Sequence, residues 1–377
     1  VSRPPLKVLY LIDKLQRAGA QVHLGQLAAG LDPARFAPRV CSLIQGGPVA
    51  DALERSGSTV ECLGLGTLYG PRGVLGLLRL ARRLRRARIQ VVHSYLVSAN
   101  VFGTLAARLA RVPAVLTSRR DVGFSRNWRL RVVEERLINP LVDRVTANSP
   151  SVAAAVSREP GLRPDKVVLI PNGVDVDRCD PERYDAPAIR AALGIAREER
   201  VVGSVGHLSP VKGHADLLRA AGALVRKGAP LRVLLIGDGP LRGALQEQAR
   251  TSGIAERVTF AGVQEDVPRH LAALDVFALP SHTEGMSNAL LEAMAMARPV
   301  VATAVDGNAD VVEDGVTGRL VPPRTPDALA RALDDLFGEP ARARELGREA
   351  RRRVASRYSL PLMVSRYEEL YLSLVPA

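Results

Sequence analysis

Glu284-Gly285-Met286-Ser287-Asn288-Ala289-Leu290-Leu291-Glu292, residues 284–292, decides the reading of this chain, because here a buried strand turns into a helix through a polar loop. Upstream, Asp275-Val276-Phe277-Ala278-Leu279-Pro280 has the apolar run of a strand and a proline to stop it; downstream, residues 288–296 are rich in strong helix formers. One acid precedes the helix and the other lies within it. The backbone N–H groups of Gly285, Met286, Ser287 and Asn288 would crown the positive end of that helix, a seat for phosphate. Glu292 would stand roughly 6 to 8 Å further along, at about 1.5 Å per residue. Two acceptors flanking an anion seat suit a diphosphate with hydroxyl-bearing groups on both sides. Taken alone, the segment is equally well read as a capping acid and a surface glutamate.

Working outward, the strand-then-helix alternation recurs along the whole chain. Strand candidates are residues 7–12, 39–43, 91–93, 114–117 and 144–147, then 201–205, 231–236, 258–261, 276–279 and 299–303, with helical periodicity between them. Such alternation predicts mostly parallel, doubly covered sheets, and 377 residues suit two of them. The expected organisation is α/β, with two Rossmann-like doubly wound domains: residues 1–172, and 173–357 after the turn Pro171-Asn172-Gly173. A last helix within 358–377 is expected to cross back to the first domain. Ligands of such sheets sit beyond the carboxyl ends of strands, so a cleft between two facing sheets is the expected site.

Charge and cysteine usage narrow the function classes. The net charge of +13 is uneven: residues 1–172 hold 26 Lys+Arg against 11 Asp+Glu, and residues 173–377 hold 26 against 28. The densest basic part, residues 74–86, is expected to place Val74, Leu77, Leu78, Ala81 and Leu84 on a buried stripe and Arg79, Arg82, Arg83 and Arg86 on the opposite one. That face is either simply solvated or attracted to an anionic membrane surface or a phosphorylated acceptor. Nucleic acid is not an expected partner, for no recognition motif or interleaved aromatics accompany the charge. Residues 122–129, with Trp128, suit an acceptor groove, a bilayer contact or a packed loop. Cys41, Cys62 and Cys179 have no metal-ligand spacing and read as reduced, structural residues. No apolar run near 18 residues appears, so the chain reads as cytoplasmic, with a peripheral membrane position open.

Four motifs in order, Ile170-Pro171-Asn172-Gly173-Val174-Asp175, Gly206-His207-Leu208 with Lys212-Gly213, Gly237-Asp238-Gly239-Pro240 and the opening segment, resemble the retaining glycosyltransferases of family 4, which have the GT-B architecture. The resemblance implies sugar transfer from a nucleotide diphosphate-sugar, a UDP-sugar by default, to a hydroxyl acceptor, lipid-linked or a cell-envelope or polysaccharide precursor. It implies that Glu284 contacts the transferred sugar, Glu292 the ribose diol, and Gly285, Met286, Ser287 and Asn288 the sugar and phosphates. Val263 and Gln264 would lie against the base, Gly206 and Gly237 would shape the donor wall, and Gly19 would let the first loop approach the diphosphate. Lys212, with His207 where the family commonly has arginine, would neutralise the leaving group; histidine is cationic only when protonated. His93 would face the ligand, and Arg119, fixed by Asp121, would stand where relatives place a histidine. No cofactor and no metal are expected, since no Asp-x-Asp triad follows a strand. A divergent sugar-nucleotide-binding protein without catalysis, an epimerase and a phosphorylase are the alternatives; no lysine motif for bound pyridoxal phosphate supports the last.

Overall fold

The structure, a computed structural model, describes residues 4–55, 57–66, 68, 70–121 and 132–375, so the stretch around Trp128 lies outside the described residues. The chain divides into two units: residues 1–173 with 360–377, and residues 174–359.

Unit 1 carries a seven-stranded parallel sheet in the order β3-β2-β1-β4-β5-β6-β7. The strands are β1 Leu6–Lys14, β2 Phe36–Gln45, β3 Thr59–Cys62, β4 Val91–Tyr95, β5 Ala114–Arg119, β6 Arg144–Ala147 and β7 Val167–Leu169. Unit 2 repeats the plan with β8 Arg200–Val205, β9 Leu231–Ile236, β10 Val258–Gly262, β11 Val276–Leu279, β12 Val300–Thr303 and β13 Arg319–Val321, ordered β10-β9-β8-β11-β12-β13. Valine-, leucine- and isoleucine-rich runs form central strands because both faces of a parallel sheet are covered by helices. Accordingly β4, β5, β11 and β12 are buried at every residue. In each unit the winding reverses between two neighbouring strands, β1 and β4 in one and β8 and β11 in the other. The carboxyl ends of those pairs are where such sheets admit ligands.

Three strands escape the periodicity reading: β3, β7 and β13. All lie at sheet edges and are only three or four residues long with mostly half-exposed or exposed side chains. An edge strand needs no apolar run, so its sequence carries little signal.

The helix Gly70–Ala87 corrects the expected stripe. Its buried residues are Gly73, Gly76, Leu80, Ala81 and Leu84, whereas Val74 and Leu78 point outward. Glycines let the helix approach closely: a Cβ on Gly76 would lie 2.9 Å from a methyl of Leu65. Periodicity scored on apolar side chains alone passes over them.

The last helix, Leu360–Leu374, belongs to unit 1 and brings Tyr367 and Tyr371 into its core. There the Tyr371 hydroxyl donates to Tyr10 Oη at 3.2 Å and sits 2.8 Å from His93 Nδ1. With its one proton committed to Tyr10, Tyr371 accepts from Nδ1–H, and Thr146 Oγ1, 3.3 Å from Nε2, donates to the other ring nitrogen. The network is satisfied by neutral histidine, and burial, then Arg120, pushes the His93 pKa down to about 3. The unfolded chain therefore takes up a proton that the folded one refuses; the stability is full above the ordinary histidine range and is lost as pH falls toward 3. Between about pH 7 and 4.5 this residue is expected to remove on the order of 3 kcal/mol, at roughly 1.4 kcal/mol per pH unit. Urea unfolding across that range checks it, with His93→Asn showing a flatter dependence.

Candidate functional site

The carboxyl ends of β8 and β11 each open into a loop, and the two loops are locked together within unit 2. After β8, the chain passes Gly206 and the exposed His207, makes one tight turn at Pro210–Lys212, and enters the helix His214–Arg226 through Gly213. Gly213 has φ +65°, and a Cβ there would fall 2.0 Å from the Pro280 carbonyl oxygen just past β11. Only glycine permits that approach. The His282 N–H then donates to Val211 O at 2.7 Å, and His282 Nε2 lies 2.7 Å from Asp216 Oδ2.

These cross-links carry Lys212 to Glu284. The ammonium donates to both carboxylate oxygens, at 2.8 and 2.7 Å. The lysine side chain is 24% exposed and the glutamate 10%, so the pair is shielded but still open on one side. Sequence places the two 72 positions apart; the reversal of winding order puts them side by side.

Glu284 is held from behind as well. Its carbonyl accepts from Gly307 N–H at 3.0 Å, and a Cβ on Gly307 would stand 1.6 Å from Gly285 O. Thr283 Oγ1 donates to Asp306 Oδ2 at 2.8 Å. The loop then enters the helix Asn288–Ala295, capped by Ser287, whose Oγ accepts from Leu290 N–H at 3.3 Å. Gly285, Met286 and Ser287 are buried and Asn288 is half-buried at the helix start. Glu292 sits one turn on, half-buried, close enough to Cys179 that its charge adds to burial in pushing that thiol up to about 12.

On the other side of β8, Gly237 has φ +130° and would bring a Cβ to 2.1 Å from Gly206 O, so the Gly206 and Gly237 loops touch main chain to main chain. Beyond β9, the loop after β10 presents Val263, 61% exposed, while Gln264 Nε2 donates to Ala261 O at 2.6 Å. β10 lies two strands from β8, a separation of roughly 10 Å at about 4.8 Å per strand.

Three residues here were not assigned from sequence: His214, His282 and Asp216. His214, 2% exposed, has its pKa pushed down to about 4 by burial and then by Lys212 and His207, so it lies beneath the cationic loop as a neutral ring. A histidine two places after Lys212 and another two places before Glu284 were the available signal. That His282 meets Asp216 is a tertiary fact.

In unit 1, Gly19 is exposed at the first turn of the helix Gly19–Gly30. Two other candidates are corrected. His93 is fully buried in the tyrosine cluster described above, not at an open surface. Arg119 is 2% exposed, with Glu134 at 2.9 Å, Glu159 at 3.6 Å and Asn139 at 3.0 Å. A guanidinium buried in a sheet needs carboxylates around it, and these two offset its charge. Among the described residues, no group of three or more His, Cys, Asp or Glu side chains is arranged to hold a metal ion.

Comparison with known proteins places this geometry. The family description "Glycosyltransferase Family 4" matches residues 17–178, and "Glycosyl transferases group 1" matches residues 199–339. The D-inositol 3-phosphate glycosyltransferase of Kineococcus radiotolerans is 32% identical over 74% of this chain and 70% of its own; the Nocardia farcinica counterpart is matched over only 64% of its length. The UDP-Gal:alpha-D-GlcNAc-diphosphoundecaprenol alpha-1,3-galactosyltransferase of Escherichia coli is 25% identical over 88% of each chain. Among solved structures, Anabaena HepE in complex with UDP and glucose superposes with a TM-score of 0.89 at 25% identity, covering 98% of this chain and all of that one.

The close main-chain packing behind Glu284 yields a direct test. Gly307→Ala is expected to displace the Glu284–Gly285 peptide and to destabilise the protein by about 2 kcal/mol or more, read as a lower urea midpoint at unchanged slope.

Proposed function

Because the chain belongs to glycosyltransferase family 4 and is a GT-B glycosyltransferase, we propose that it transfers a sugar from a UDP-sugar to a hydroxyl acceptor with retention of anomeric configuration. The observation that carries this reading is the Lys212–Glu284 pair at the point where the unit 2 sheet reverses its winding, beside the capped amino end of the helix Asn288–Ala295. HepE was solved with UDP and glucose, and the Escherichia coli relative is named for UDP-Gal, which supports uridine as the donor base.

In this reading the diphosphate lies against Gly285 to Ser287, where the positive end of the helix Asn288–Ala295 and the Lys212 ammonium offset its charge. Glu284 does two things. It keeps the Lys212 ammonium aimed, and it offers carboxylate oxygens to the hydroxyls of the transferred sugar. When phosphate oxygens approach, Lys212 turns part of its donor capacity to them and Glu284 is released to the sugar. Glu292 accepts from the ribose diol, roughly a helical turn away. The base reaches the Val263-Gln264 loop, about 10 Å from Gly206, which is the span of a nucleoside. His207, exposed beside Lys212, adds a donor to the leaving phosphate. The departing phosphate oxygen takes the acceptor hydroxyl's proton, so no separate base is required.

The acceptor reading is a hydroxyl on a lipid-linked or polysaccharide precursor of the cell envelope, supported by the diphosphoundecaprenol substrate in the Escherichia coli relative's name. Unit 1 takes the acceptor and unit 2 the donor.

Substitution separates the two roles of the central pair. Lys212→Ala is expected to weaken binding of both UDP and UDP-sugar and to lower turnover by roughly 100- to 1,000-fold. Glu284→Gln is expected to lower turnover on a similar scale while UDP binding is retained. Calorimetry with UDP and turnover of radiolabelled UDP-glucose, UDP-galactose and their N-acetyl forms supply the readouts. Normal turnover in either variant overturns the assignment, and binding of UDP-sugar by the unaltered protein with neither transfer nor hydrolysis favours a non-catalytic binding protein.

A further inference from the structure

The outer face of the helix Gly70–Ala87 takes no part in the donor site, and its composition is unusual for a solvated surface. Stepping 100° per residue, the side opposite the buried Gly73, Gly76, Leu80, Ala81 and Leu84 carries Val74, Leu75 and Leu78 among Arg79, Arg82 and Arg86. Val74 is 57% exposed, Leu75 53% and Leu78 38%. A single exposed leucine needs no explanation. Three large aliphatic side chains within five residues, followed by arginines at each outward position of the next two turns and with no acidic residue anywhere on the helix, form a graded face: apolar at the amino end, cationic at the carboxyl end.

The cationic end continues onto the sheet edge. Arg39 of β2, Arg83, Arg86 and Ala87 of the helix, and Glu61 and Cys62 of β3 line an open cavity of about 590 Å³. Glu61 pairs with Arg83 at 3.6 Å, while Arg39 and Arg86 have no acidic partner among the described residues. Two uncompensated guanidiniums at the wall of a concave surface are suited to phosphate oxygens, which arginine engages through two parallel N–H groups.

We propose that this face docks on an anionic lipid bilayer, with Val74, Leu75 and Leu78 entering the headgroup boundary and Arg39, Arg79, Arg82 and Arg86 engaging lipid phosphates. Charge complementarity selects the occupant. A second copy of the chain would set one arginine row against another, and a nucleic acid would leave the three aliphatic side chains in water. A bilayer satisfies both halves, because apolar insertion and phosphate pairing occur at adjacent depths of one interface. Among the described residues no helix is long and apolar enough to cross a membrane, so the attachment is a surface one. The inference stands apart from the donor site, and it accounts for how a lipid-borne acceptor would come within reach.

Cosedimentation of the full chain with vesicles tests it. Vesicles of phosphatidylcholine and phosphatidylglycerol in equal parts are expected to pellet the protein at low salt, and the pelleted fraction to fall as ionic strength rises through about 0.15 M. Arg82→Glu with Arg86→Glu is expected to weaken partitioning at least roughly tenfold, the scale of one to two arginine contacts. Leu75→Ser with Leu78→Ser is expected to weaken it several-fold and to leave the salt dependence in place. All four positions are exposed, so thermal unfolding and hydrolysis of UDP-sugar in the absence of membranes are expected to be unchanged. That last readout separates this inference from the transferase reading: failure of the unaltered protein to bind vesicles, with hydrolysis intact, sinks only the docking face. Absence of pelleting at low salt, equal pelleting with phosphatidylcholine alone, or a dimer that Leu75→Ser dissolves would each overturn the proposal.

Discussion

Main-chain contact between glycines and carbonyl oxygens is the constraint on which the Lys212–Glu284 face of unit 2 depends. Gly213 against Pro280 O, Gly237 against Gly206 O and Gly307 against Gly285 O each leave no room for a Cβ. Together they pull four loops to within contact at the carboxyl edge of one sheet. The Lys212–Glu284 pair is a consequence: the β8 and β11 loops stand close enough for the ammonium to donate to both carboxylate oxygens. In the proposed reading a preorganised ammonium costs little reorganisation when a diphosphate arrives, so such contacts matter more to transfer than their own stability suggests.

Unit 1 handles its buried polar groups differently. His93, Tyr10 and Tyr371 form a network closed by neutral hydrogen bonds, whereas Arg119 is neutralised by Glu134 and Glu159. Both solutions obey the same rule, that a polar group removed from water needs a partner. They explain why residues at ligand-facing positions in a strand diagram serve instead to bind the last helix and the strand ends into one core. The sheet's two faces are both covered, so a side chain on β4 or β5 can point into packing as readily as toward its open edge.

The legibility of this chain follows the amount of buried surface each element commits. Central strands such as β8, β9 and β11 carry mostly apolar runs because both faces are covered, and they stand where those runs predict. Edge strands β3, β7 and β13 commit little surface and leave almost no pattern. The helix Gly70–Ala87 shows a subtler partial failure: Leu77, Ala81 and Leu84 pack inward as expected, but the amino-terminal part of the buried stripe runs through Gly73 and Gly76, whose closeness to neighbours is invisible to a hydrophobicity count, so Val74 and Leu78, expected inside, face outward. That difference leaves an exposed apolar surface beside the cationic one.

Read alone, the chain determined a doubly wound α/β plan in two parts, the strand-loop-helix around Glu284 and the resemblance to the family, because each of these rests on local propensity, turn chemistry or linear spacing. Tertiary structure decided which of the candidate residues meet. Lys212 and Glu284 are brought together, His282 is set against Asp216, and His93 and Arg119 are withdrawn into a core. Those outcomes depend on strand order and on side-chain direction across a sheet, and neither is encoded in the spacing of residues along the chain.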